Sequence, residues 1–89
     1  MISENITIIN KLGLHARAAS KLVNCASGFE SEVFISKRGN RVNAKSIMGV
    51  MMLAASKGTE LELEVEGADE QACRDAIVEL IASRFGEGE

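Results

Sequence analysis

Thr59-Glu60-Leu61-Glu62-Leu63-Glu64-Val65-Glu66 alternates apolar and acidic residues without a break. A period of two places Leu61, Leu63 and Val65 on one face of a β-strand and the glutamates on the other. Four ionised carboxylates on one face need water, because an unpaired buried charge is costly. That face of the sheet is therefore open, and any helices must cover the opposite side. Working outward, Glu32-Val33-Phe34-Ile35-Ser36 and Arg41-Val42-Asn43-Ala44 read as two further strands. They are joined through Lys37-Arg38-Gly39-Asn40, whose Gly-Asn pair fits a hairpin turn. Glu4-Asn5-Ile6-Thr7-Ile8-Ile9 reads as a fourth strand, with Ile6 and Ile8 pointing the same way.

The helical period appears three times. Ala16 to about Ser27 places Ala19, Leu22, Val23 and Ala26 on one stripe, and Gly28 suits its end. Ser46 to about Leu53 reads as a short helix with serine as its cap. Asp69 caps a final helix whose buried stripe is Cys73, Ala76, Ile77, Leu80 and Ile81. Gly13, Gly28, Gly39, Gly58 and Gly67 separate segments whose hydrophobic period changes. The order β-α-β-β-α-β-α predicts an α+β fold, an open-faced β-sandwich with a four-stranded antiparallel sheet and three helices packed on one face. A length of 89 residues suits one domain, spanning 1–89, and Gly86-Glu87-Gly88-Glu89 reads as a loose tail.

Composition excludes several function classes. Apolar residues make up 46% of the chain with no Trp, no Tyr and three Phe, so aromatic platforms for nucleic acid are not expected. No apolar run reaches the roughly 18–20 residues of a membrane span, and Met1-Ile2-Ser3-Glu4-Asn5 lacks the regions of a signal peptide. The expectation is a cytoplasmic protein without membrane insertion. Cys25 and Cys73 have no metal-like spacing, and one histidine leaves few ligands, so free thiols are favoured and no metal site is expected. Charge is uneven: residues 1–57 carry eight Lys or Arg against three Glu, while residues 58–89 carry two Arg against ten acids. Lys11, Arg17, Lys21, Lys45 and Lys57 either gather around the histidine, as a basic face for an acidic or phosphorylated partner, or form an ordinary solvated surface.

Chemistry concentrates at Lys11-Leu12-Gly13-Leu14-His15-Ala16-Arg17-Ala18-Ala19, where the single histidine stands at a helix start. Histidine is a poor N-cap, and such breaches of local rules cluster at functional sites. An exposed imidazole serves as metal ligand, general base or nucleophilic acceptor. The backbone amides of Ala16 and Arg17, with the helix dipole, favour an anion there, and the Arg17 fork suits phosphate oxygens. A neutral ring nitrogen can take a phosphoryl group directly. In Asn43-Ala44-Lys45-Ser46-Ile47-Met48-Gly49-Val50-Met51-Met52, Ser46 reads either as a cap alone or as a phosphorylation site. Ile47, Met48, Met51 and Met52 exceed what one buried stripe of a two-turn helix holds; they are either core filling or a contact patch suited to several partners.

Gly13-Leu14-His15-Ala16-Arg17, followed by two small residues, and Lys45-Ser46-Ile47-Met48-Gly49 together resemble the phosphocarrier HPr family over nearly the whole chain. The resemblance implies that His15 accepts a phosphoryl group on Nδ1 from phosphorylated enzyme I and passes it to enzyme IIA domains of the sugar phosphotransferase system. It implies that Arg17 assists and that Ser46 is the regulatory site of an HPr kinase/phosphorylase. It implies a monomeric carrier without cofactor, not an enzyme, with transcriptional regulators as further partners. The expected partner surface is Leu14, Ser20, Lys21, Lys45, Ile47, Met48 and Met51. One departure is Ala18, where the family usually has proline; a nitrogen-related (NPr-like) carrier is the alternative within the family. Outside it, the alternative is a regulatory binding module that controls its partners by association.

Overall fold

In the computed structural model, which describes residues 1–88, the alternating segment forms β4 (Glu60–Glu66) in the interior of the sheet. It pairs antiparallel on one side with β1 (Ile2–Thr7) and on the other with β2 (Glu32–Lys37), which in turn pairs with β3 (Asn40–Asn43). The strand order is β1-β4-β2-β3. Register places Val65 opposite both Ile2 and Val33, and Leu63 opposite both Glu4 and Ile35. Leu61, Leu63, Val65, Val33 and Ile35 are all buried, while Glu60, Glu62 and Glu66 are exposed. On the open face the Arg41 guanidinium lies 3.7 Å from the Phe34 ring centroid and 3.0 Å from Glu64 Oε1, so one cation screens an aromatic ring and a carboxylate together. Three helices, α1 (Ala16–Ser27), α2 (Ile47–Met52) and α3 (Glu70–Ala82), cover the other face.

Two strand boundaries differ from those expected. The first strand begins at Ile2, not Glu4, and pairing is prolonged past Thr7 by the Ile8 amide on the Thr59 carbonyl at 2.9 Å. Glu4 falls on the same row as Ile2 and Ile6, and its carboxylate accepts from Arg74 of α3 at 2.6 Å. The hairpin turns on Arg38 (φ 49°) and Gly39 (φ 87°), with Lys37 opposite Asn40, so Asn40 belongs to β3. Two successive left-handed residues are the type I′ geometry that matches strand twist.

Asp69, expected to cap α3, stands at that position without a side-chain cap bond. Its carboxylate instead accepts from the Glu30 amide at 2.9 Å, the Ser31 amide at 2.9 Å and the Ser31 hydroxyl at 2.5 Å. The loop after α1 is thereby tied to the start of α3. The Ser31 hydroxyl, and then the Glu30 amide, hold the Asp69 carboxyl below the usual carboxylate range. A carboxyl depressed in the folded state contributes stability that is complete above its unfolded pKa and is lost as pH falls through the folded value. Asp69→Asn should therefore lower the melting midpoint at neutral pH, with the gap to wild type closing in acid below the usual carboxylate range. A gap of constant size across that range would contradict the assignment.

The expected tail is held in place through Glu87, and its last residue, Glu89, lies outside the described residues. After α3, Arg84 (φ 57°) and Phe85 (φ 55°) are both left-handed, and the turn Arg84–Gly86 drives Phe85 into the core as its largest fully buried side chain. Left-handed geometry costs an ordinary residue about 1–2 kcal/mol, which burial of a phenyl ring offsets.

Candidate functional site

His15 is held from both sides by contacts that begin with a glycine. Gly13 has φ 68°, and a Cβ there would lie 2.5 Å from the Ala55 carbonyl oxygen and 2.8 Å from Ser56 Cα. Only glycine permits this approach. The next amide, Leu14, donates to the same Ala55 oxygen at 2.8 Å, and the Leu14 side chain is buried in the core. Leu14 thus anchors the loop from within and offers no side chain to a partner, contrary to its expected place on the docking surface.

His15 occupies the N-cap of α1 with extended backbone (φ −73°, ψ 177°), and its side chain makes no cap bond. Its carbonyl accepts from the Ala19 amide at 2.8 Å, the first bond of the helix. Among the described residues the amides of Ala16, Arg17 and Ala18 have no acceptor. These are the orphan donors of a helix start, and they carry its positive dipole end. Arg17 is exposed and forms no ion pair among the described residues. A surface depression here is lined by Lys11, Leu12, His15, Ala16, Arg17, Lys21, Gly86 and Glu87.

The partner of the imidazole is Glu87. Its Oε2 accepts from His15 Nε2 at 2.5 Å, while its Oε1 accepts from the amide of Asn10 at 3.0 Å. Asn10 is wholly buried and also donates to the Gly13 carbonyl at 2.8 Å, so one side chain joins the histidine loop to the chain end. Lys21 Nζ donates to the Phe85 carbonyl at 2.6 Å and pins the same turn. The Glu87 carboxyl is held below its usual range, chiefly by Asn10, then by His15. It is a carboxylate at neutral pH. Nδ1 of His15 makes no hydrogen bond among the described residues.

The expected basic cluster is smaller than five. Lys11, Arg17 and Lys21 meet at the histidine. Lys45 Nζ donates to the Phe29 carbonyl at 2.9 Å, beyond the far end of α1, about 18 Å from its start at 1.5 Å per residue. Lys57 lines another depression, with Lys37 and Arg38. Ser46 caps α2 by accepting from the Gly49 amide at 3.2 Å and is exposed. Of α2 only Val50 is buried; Ile47, Met48, Met51 and Met52 face solvent, as does Leu12, while Ser20 is half-buried. Cys25 is half-buried, and Cys73 is buried, its thiol pushed up to about 11 by desolvation, so it is uncharged and inert.

Of the residues expected at the site, the structure brings His15 and Arg17 together at the helix start; Asn10 and Glu87, which meet the same histidine loop, were not among them. Asn10 left one trace, a polar residue between the apolar Ile8-Ile9 and the Gly13 turn. Glu87, between two glycines, left none.

The family described as the PTS HPr component phosphorylation site matches residues 2–83. Phosphocarrier proteins HPr of Neisseria meningitidis serogroup B and of Cupriavidus necator are each 58% identical over 89 residues, covering 100% of both chains. HPr-C-His from Thermoanaerobacter tengcongensis superimposes with a TM-score of 0.95 at 48% identity, over 98% of each chain. A histidine at a helix start, unengaged amides beside it, and agreement in sequence and fold along nearly the full length place this chain in the HPr family of phosphocarrier proteins.

Proposed function

We propose that residues 1–89 act as one domain that carries a phosphoryl group on His15, taking it from phosphorylated enzyme I and delivering it to enzyme IIA domains of the sugar phosphotransferase system. The chain is a cytoplasmic monomer and a carrier, not an enzyme, since partner proteins consume and restore the reactive group. The observation that carries this reading is the conjunction at His15, among the described residues, of an unbonded Nδ1, the orphan amides of Ala16 and Arg17, and an Arg17 guanidinium without an ion pair. Each would stabilise the dianion that arrives. Ala18 does not disturb this: among the described residues its amide has no acceptor, so alanine and proline are interchangeable there as far as hydrogen bonding goes.

Ser46 is the regulatory site, modified by an HPr kinase/phosphorylase. A phosphate at this cap suits the helix start, while it places two negative charges beside the exposed Ile47 and Met48 on which partners, transcriptional regulators included, dock. The test is incubation with phosphoenolpyruvate and cognate enzyme I. The chain should acquire acid-labile, base-stable phosphate, and Ser46→Asp should acquire it more slowly at an unchanged melting midpoint. Partner binding that is indifferent to phosphoenolpyruvate, with no phosphohistidine, would replace the carrier by a module acting through association.

A further inference from the structure

His15 and Glu87 are 72 positions apart, yet the fold spends a buried asparagine, a lysine contact and two left-handed residues on bringing them together. We propose that Glu87 is a positioning residue that keeps the proton of the neutral imidazole on Nε2, so that Nδ1 presents its lone pair to the incoming phosphorus. This rests on the carrier reading of His15.

The geometry excludes the other tautomer. A carboxylate only accepts hydrogen bonds, so an Nε2 facing it at 2.5 Å must bear the proton. The neutral ring then has its nucleophilic lone pair on Nδ1. In the transfer step the Nδ1 lone pair forms the new N–P bond as the donor's P–N bond breaks, and that bond's electron pair returns to the donor's nitrogen. No proton crosses at Nδ1. The ring, still protonated on Nε2, gains positive charge, which Glu87 faces with its negative charge. The same charge on the ring makes the imidazole a good leaving group from phosphorus in the onward step, since it departs neutral with the P–N electron pair. The carboxylate is itself fixed: Asn10 holds its second oxygen, and Lys21 holds the turn that bears it. Among the described residues, the charged groups lining the depression beside the imidazole other than Glu87 are Lys11, Arg17 and Lys21, all cations unable to accept a proton from Nε2 in their charged form.

Because the chain has a single histidine, imidazole 15N NMR of the unphosphorylated protein at mildly alkaline pH reads this tautomer without assignment ambiguity. Wild type should show a protonated Nε2 and an unprotonated Nδ1. Glu87→Ala should relax this to a mixture. Glu87→Lys, whose ammonium donates to Nε2, should move the proton to Nδ1 and slow phosphoryl uptake from enzyme I about tenfold or more, while Glu87→Gln, which retains an acceptor oxygen, should recover part of the rate. Melting curves of all variants should stay near wild type. Nitrogen shifts that are the same in wild type, Glu87→Ala and Glu87→Lys, or a Glu87→Lys uptake rate equal to wild type, would overturn the inference. A failure of the carrier reading is distinct: the tautomer would shift as described, and wild-type His15 would still take up no phosphoryl group.

Discussion

His15→Ala should fold as wild type and take up no acid-labile phosphate from enzyme I, a fall of at least about 10³-fold, since no second imidazole exists to accept it. The prediction separates chemistry from stability because His15 contributes little to the fold. Its side chain is partly exposed and makes no cap bond. The carbonyl that opens α1 belongs to the backbone and survives the substitution. Alanine removes one contact, that with Glu87, and leaves the carboxylate its bond to Asn10. Loss of phosphate uptake together with a collapsed melting transition would mean that the ring is structural. Full labelling of the folded variant would move the acceptor elsewhere.

Gly13→Ala should have the largest effect on stability, a loss of about 3 kcal/mol or more. Left-handed φ costs alanine about 1–2 kcal/mol, and the remainder comes from forcing apart packed backbone. The obstacles at 2.5 and 2.8 Å are a carbonyl oxygen and an α-carbon, neither of which rotates away as a side-chain tip would. Gly39→Ala is the matched control: φ is 87°, but nothing lies within 4 Å of the added Cβ. It should cost only about 1–2 kcal/mol, the strain alone. Urea denaturation of both variants checks the pair. Equal losses would show that conformational strain, not close approach, governs Gly13. Where Gly13→Ala still folds, the displaced loop carries His15 away from Glu87, so transfer should also slow.

The architecture was legible where one period runs uninterrupted. Glu60 to Glu66 could be nothing but a strand with one wet face, and Ala19, Leu22 and Ala26 faithfully mark the buried side of α1. Boundaries were lost where the deciding contact is remote. Glu4 looks like the start of a strand only because its partner, Arg74, lies 70 positions away. Arg38-Gly39 and Gly39-Asn40 are both plausible turn pairs locally; pairing of Lys37 with Asn40 selects the first. The site divides the same way. His15, Arg17 and the helix start are neighbours in sequence, and their chemistry could be read together. Glu87 sits in a stretch of glycine and glutamate that reads as solvated tail, and only burial of Phe85, reached through two left-handed residues, carries it to the imidazole. Lys45 was misplaced for the converse reason: charge alone does not say to which end of α1 a side chain reaches.

Phosphorus-31 and nitrogen-15 NMR of the chain after incubation with phosphoenolpyruvate and enzyme I puts the central claim to its most direct test. Phosphorus coupled to Nδ1 of His15, with Nε2 protonated, is the predicted result. Phosphorus on Nε2, or a phosphorylated residue other than His15, would contradict it.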